Sequence, residues 1–236
     1  MRAPVQEFIA KWRERWPEWS IAEVFVPSGQ RPLVAAWFAL LQELTLAAWA
    51  GDEPAPGRIK LAWWQDELNG WGKRRRRHPL GEILLARPLS WTQLAQALNG
   101  LSLSRDSAPG NTAAAAELLP LAQALLASEA VLFEDTAFEN AAFEDTAASA
   151  ADPRSTDPRS TLLDLLAEQA LLRGDAPSAN QLLAERARLP LIPRPRPRRL
   201  QSAILAGRLR QLQRGQPQRP LPRWRCLLEA WRAARA

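Results

Sequence analysis

Residues 59–71 read IKLAWWQDELNGW. Leu61, Trp64, Leu68 and Trp71 recur there at intervals of three and four, which gathers them on one face of an α-helix. Two indoles and two leucines on one face predict a helix docked on a core. The helix before it has Pro32 near its first turn, where a missing N–H does no harm, and Gly51 just past its end. Trp37, Leu41, Leu44 and Ala48 form its stripe. Its apolar run, Leu33–Ala50, is interrupted by Gln42, Glu43 and Thr45, which predicts a buried helix and not a membrane span.

Helical patterning continues outward in both directions. Val5–Trp16 stops before Pro17, and a short apolar segment, Ile21–Val26, is broken by Pro27, Ser28 and Gly29. Gly57 opens the double-tryptophan helix. A short helix follows Pro79, and Ser90 with Gln93 forms a capping box for the next, closed by Gly100. Thr112–Glu134 contains Pro120. Leu162–Leu172 stops at Gly174, Ser178 and Gln181 suggest a second capping box, and LPLIPRPRPRR (189–199) reads as an extended connector. Two basic helices, Leu200–Arg214 and Arg223–Ala236, finish the pattern. FEDTA occurs twice (133–137 and 143–147), as does DPRST (152–156 and 157–161), marking a low-complexity insert near 133–161. Repeats this short fit slippage in a tolerant loop and not a solenoid.

The 236 residues are 47% apolar, enough for one packed domain. β-Branched residues are scarce and tyrosine is absent, so no large sheet is expected. The expectation is an all-α, single-domain helical bundle of about nine or ten helices spanning residues 1–236. A single cysteine and a single histidine exclude a disulfide framework and a cysteine-rich zinc site. Cys226, among Leu227, Leu228 and Trp231, reads as a small core residue, and His78 as a turn or cap residue.

The net charge of +6 is unevenly placed. From Arg186 onward fourteen arginines face one acid, Glu229, so residues 186–236 are strongly basic and the remainder net acidic. Such a third binds an anionic surface, a diphosphate or the body's own acids. Lys73, Arg74, Arg75, Arg76 and Arg77 are five adjacent cations with two readings, an anion site or a solvated turn. No zinc spacing, helix-turn-helix pattern or aromatic-interleaved basic strand occurs, so nucleic acid is not an expected partner. MRAPVQEFIAKWRERW carries charge throughout and lacks the apolar core of a signal peptide. A cytoplasmic protein is expected, with peripheral membrane contact through the basic third.

The double-tryptophan helix, followed after a basic turn by HPLGEIL, resembles the signature of squalene/phytoene synthases. AAWFALLQELTLAAW matches in character and position the family's first aspartate-rich helix, and ARLPLIP with RPRRLQSAILAGRLRQL is loosely similar to its late helices. The resemblance implies an all-α isoprenoid-synthase fold. In active members aspartates on two facing helices hold magnesium, which grips the diphosphates of two prenyl donors joined head to head. Departing pyrophosphate needs its charge neutralised, and magnesium favours carboxylate oxygens.

Laid on the family pattern, this chain places Thr45, Leu46 and Trp49 where the aspartates belong, with only Glu43 acidic nearby. The second aspartate motif and the pocket tyrosines are missing. The resemblance therefore implies a degenerate member that binds a prenyl diphosphate or lipid ligand or acts in assembly, with no cofactor expected. Its candidate pocket is Trp37, Leu41, Glu43, Thr45, Lys60, Trp63, Trp64 and Asp66. The plainer reading of the Trp63–Trp64 pair is core, with Lys60 and Asp66 on its solvated rim. Asp164-x-x-x-Glu168 has chelating spacing, and its plain reading is an exposed acidic pair early in a helix. Asp135-x-x-x-Glu139 reads as accidental. If Glu43, Asp66, Asp164 and Glu168 converge, an atypical magnesium site and an active transferase follow. A third reading is a basic protein that docks on a membrane or an acidic partner.

Overall fold

The computed structural model describes residues 3–133, 157–190 and 194–235. Its helices are α1 Ala3–Arg15, α2 Trp19–Ala22, α3 Arg31–Trp49, α4 Pro54–Gly72, α5 Gly81–Leu84, α6 Trp91–Ala97, α7 Asn99–Leu103 and α8 Thr112–Leu132. They continue with α9 Arg159–Arg173, α10 Ala176–Arg188, α11 Arg196–Gln213 and α12 Arg223–Arg235. No strand occurs among the described residues, and the fold is an all-α bundle around one contiguous core.

Helix α3 is the axis of that core. Trp37, Leu40, Leu44 and Ala48 are all but inaccessible, and so are side chains around the rest of its circumference. A helix apolar on every side must be enclosed by protein or lipid. Here α1, α4, α5 and α9 enclose it. Both α3 and α8 are long and apolar enough to cross a membrane by length and composition. On α4 the four residues of the predicted face, Leu61, Trp64, Leu68 and Trp71, are buried. Trp64 meets Trp71 edge to face at 6.3 Å, and Trp71 meets Trp91 at 4.8 Å, spacings at which aromatic edges and faces attract.

Several predicted helix ends move. Helix α4 begins at Pro54, so Gly57 lies inside it; a Cβ there would stand 2.2 Å from the Ala47 carbonyl oxygen. Gly100 likewise does not close a helix. It sits within α7, where a Cβ would fall 2.0 Å from the Glu117 carbonyl oxygen of α8. Both glycines permit close helix approach. Ser90 occupies the N-cap of α6 without a side-chain cap bond. The cap of α10 is Asp175, whose carboxylate accepts from the Ser178 N–H at 3.1 Å, so Ser178 is capped and does not cap. The Pro/Arg connector ends earlier than expected, because Pro197 fits the first turn of α11. The second DPRST copy belongs to folded structure: Asp157 accepts from the Arg159 N–H at 3.0 Å, and Thr161 is buried in α9. The rest of the insert, with Asp135 and Glu139, lies outside the described residues.

Gly57→Ala and Gly100→Ala are each expected to lower stability in urea unfolding by about 1–3 kcal/mol through overpacking. Gly29→Ala, where a Cβ has nothing within 4 Å, is expected to change little. Equal effects at all three positions would contradict the close-approach account.

Candidate functional site

Asp164 and Glu168 lie one turn apart on α9, and both point inward. This overturns the expectation of an exposed acidic pair. Leu163, Leu165, Leu166 and Ala167 are buried around them, so α9 has no fully solvated side in this stretch. Across the bundle stands Thr45 of α3, which donates its hydroxyl to Glu168 at 2.8 Å. Thr45, Asp164 and Glu168 share a recess with Leu41, Leu44, Leu121, Leu125 and Arg198. The recess has a volume of about 20 Å³, room for about one water molecule. A prenyl chain does not fit it.

Arginines fill the polar side of this region. Asp164 accepts from Arg186 at 2.8 Å, from Arg194 at 2.6 Å and from the Ser202 hydroxyl. A third guanidinium, Arg198, stands 3.9 Å away. Burial works to raise the Asp164 carboxyl, but Arg194, Arg186 and Arg198 outweigh it, and the group is held well below the usual carboxylate range. For Glu168 burial wins, and its carboxyl is raised despite Arg15 and the Thr45 hydroxyl. Arg198 makes its main pair with Glu129 of α8, using Nε at 2.8 Å and also Nη2. Trp37 donates its indole N–H to the same carboxylate at 2.8 Å. Part of the basic C-terminal third is thus neutralised internally: Arg208 also pairs with buried Glu18 at 2.7 Å.

The remaining candidate pocket residues do not gather here. Leu41 lines the recess, and Trp37 is buried beside Glu129. Glu43 is bonded to Lys60 at 2.7 Å, and Asp66 is exposed. Trp64 is core, but Trp63 is 37% exposed and lies against Arg77, so only half of the indole pair is core. Leu46 and Lys60 instead flank an open outer groove of about 520 Å³ with Gly51, Asp52, Glu53 and Gly57. Glu43, Asp66, Asp164 and Glu168 therefore do not converge. Among the described residues no three His, Cys, Asp or Glu side chains group as metal ligands.

The run Lys73–Arg77 is an exposed turn organised by a residue that the sequence reading missed. Glu67, buried on α4, accepts from the Arg77 and His78 N–H groups at 2.7 Å each, from Arg77 Nε at 2.8 Å and from the Trp71 indole at 2.7 Å. Burial alone would raise its carboxyl; these donors together lower it. His78 is buried against Phe8 and Trp64, and burial lowers its imidazole to about 4. An acid on an otherwise apolar helix face is the signal that would have found Glu67.

Asp164→Asn leaves three arginines facing a neutral amide and is expected to cost about 3–5 kcal/mol. Glu168→Gln keeps an oxygen for Thr45 and removes a charge that burial opposes, so about 1 kcal/mol or less is expected. Equal losses in urea unfolding would contradict the assignment. Folded Asp164 binds its proton less readily than the unfolded chain does. Its stabilising contribution is therefore complete above the ordinary aspartate value of about 3.9 and is lost as pH falls below it. Thermal melts at falling pH should show a smaller acid loss in Asp164→Asn than in the parent protein.

Compared with models of known families, with curated proteins and with solved structures, the chain finds no match.

Proposed function

We propose that this protein is a catalytically silent bundle of the squalene/phytoene synthase type, acting in binding or assembly through its surface. The double-tryptophan helix, the HPLGEIL segment and the all-α fold support the kinship. So does the position of Asp164 and Glu168, one turn apart on a helix that faces α3 at Thr45. In that family diphosphate chemistry depends on inward carboxylates from two facing helices, of which only α9 carries them here.

One observation carries the silent reading. The acid pair is already satisfied from within, Asp164 by arginines and a serine, Glu168 by a threonine hydroxyl. A magnesium ion there would have to displace guanidinium groups and would find no carboxylate on α3 opposite. The recess beside the pair also has no space for a prenyl chain. A lipid or prenyl ligand, if bound, belongs on the outside of the bundle.

The purified chain is expected to release no pyrophosphate from farnesyl or geranylgeranyl diphosphate with magnesium. Magnesium-dependent release that Asp164→Asn and Glu168→Gln both reduce would replace this reading with an active transferase.

A further inference from the structure

Helix α12 turns its most apolar side away from the protein. Cys226 and Ala230 are buried where it packs on α11 and α2. Trp224, Leu227, Leu228 and Trp231 occupy the opposite side at i, i+3, i+4 and i+7, and are 71, 49, 37 and 42% exposed. The four other large apolar side chains so exposed among the described residues form no comparable stripe: Val24 lies in a 3₁₀ turn, Leu103 ends α7, and Ile59 and Trp63 are a single i, i+4 pair on α4. Contiguous exposed apolar surface of this kind marks a contact site.

The charges around the stripe identify what it contacts. At about 100° per residue, Arg223 falls on one flank and Arg225 and Arg232 on the other. Arg235 closes the C-terminal end, its guanidinium 4.2 Å from the Trp231 ring. None of these four arginines is paired with a carboxylate among the described residues. Glu229, the helix's one acid, is turned away and pairs with Arg210 of α11 at 3.0 Å. An apolar groove on a protein would cover the stripe but would need separate acids along both flanks. The surface of an anionic bilayer meets both demands at once, taking indoles and leucines at the headgroup–acyl boundary and guanidinium groups at the phosphates.

We infer that α12 docks this protein on anionic lipid surfaces, with Trp224, Leu227, Leu228 and Trp231 inserted and Arg223, Arg225, Arg232 and Arg235 at the headgroups. This contact is independent of the silent interior proposed above. One short helix gives reversible binding, which salt must weaken because part of it is charge attraction.

Co-sedimentation of the full chain with vesicles tests the inference. Binding is expected to phosphatidylcholine mixed with phosphatidylglycerol, and to fall when salt is raised. Arg223→Gln and Arg232→Gln should each lower partitioning about 5-fold. Trp224→Ser with Trp231→Ser should abolish it while leaving circular dichroism and thermal unfolding unchanged, since both indoles face solvent. Failure to bind the mixed vesicles, or binding that survives the double tryptophan substitution, would overturn the inference. So would concentration-dependent self-association removed by that substitution in a chain that ignores vesicles, which would mark the stripe as a protein interface.

Discussion

Arg198 lies inside the bundle between two carboxylates, and the arrangement of the second half of the protein depends on it. A buried guanidinium costs several kcal/mol to desolvate and is tolerated only with its hydrogen bonds filled. Glu129 supplies the main pair from α8 and Asp164 adds its charge from α9, while Arg198 itself comes from α11. Three helices are thereby fixed in register by one side chain. Helix α12 stacks on α11 and α2 through separate contacts, among them Glu229 with Arg210 at 3.0 Å, and that seating sets the direction in which the terminal apolar stripe faces. Removing one member of such a set leaves an uncompensated charge, which is far more damaging than replacing the whole set with apolar residues.

The same cluster decides the chemistry of the interior. A carboxylate pair one turn apart is a chelating element only while its lone pairs are open to a cation. On α9 those of Asp164 are directed to guanidinium and hydroxyl donors, and Glu168 is bonded to Thr45 where the family resemblance anticipates an aspartate. The positive charge beside Asp164 comes from Arg186, Arg194 and Arg198. What the protein offers outside is then its outer face: the basic turn held by Glu67, and the tryptophan and arginine helix at the C-terminal side.

Much of the fold was legible because one buried face imposes a period. Leu61, Trp64, Leu68 and Trp71 read as a face and form one, whereas the stripe of α3 is buried together with most of the rest of that helix. Glycine was the main source of misplaced ends. Gly51 and Gly174 do take positive φ at helix ends, but Gly57 and Gly100 are required for close approach of neighbouring helices. A sequence does not distinguish these two uses. The acid pair of α9 was misread for a different reason. Its spacing is common on exposed helices, and only the leucines on every side, Leu163, Leu165 and Leu166, signal that no side is free. Its hydrogen-bonded arginines, Arg186 and Arg194, lie 22 and 30 residues along the chain from Asp164, and long-range pairing has no local pattern. The stripe on α12 was visible as periodicity, yet periodicity marks two apolar sides alike, and the sequence reading assigned Leu227, Leu228 and Trp231 to the core around Cys226.

Arginines and a serine hold Asp164 and a threonine hydroxyl holds Glu168, and the proposed silence of the interior rests on those bonds leaving no place for a divalent cation. Carboxyl ¹³C NMR with manganese as a paramagnetic stand-in for magnesium, in the presence of pyrophosphate, tests it most directly. The Asp164 and Glu168 signals should stay sharp while exposed carboxylates such as Asp66 broaden weakly. Selective broadening of the Asp164 and Glu168 pair would contradict the account and place a metal site at the heart of the bundle.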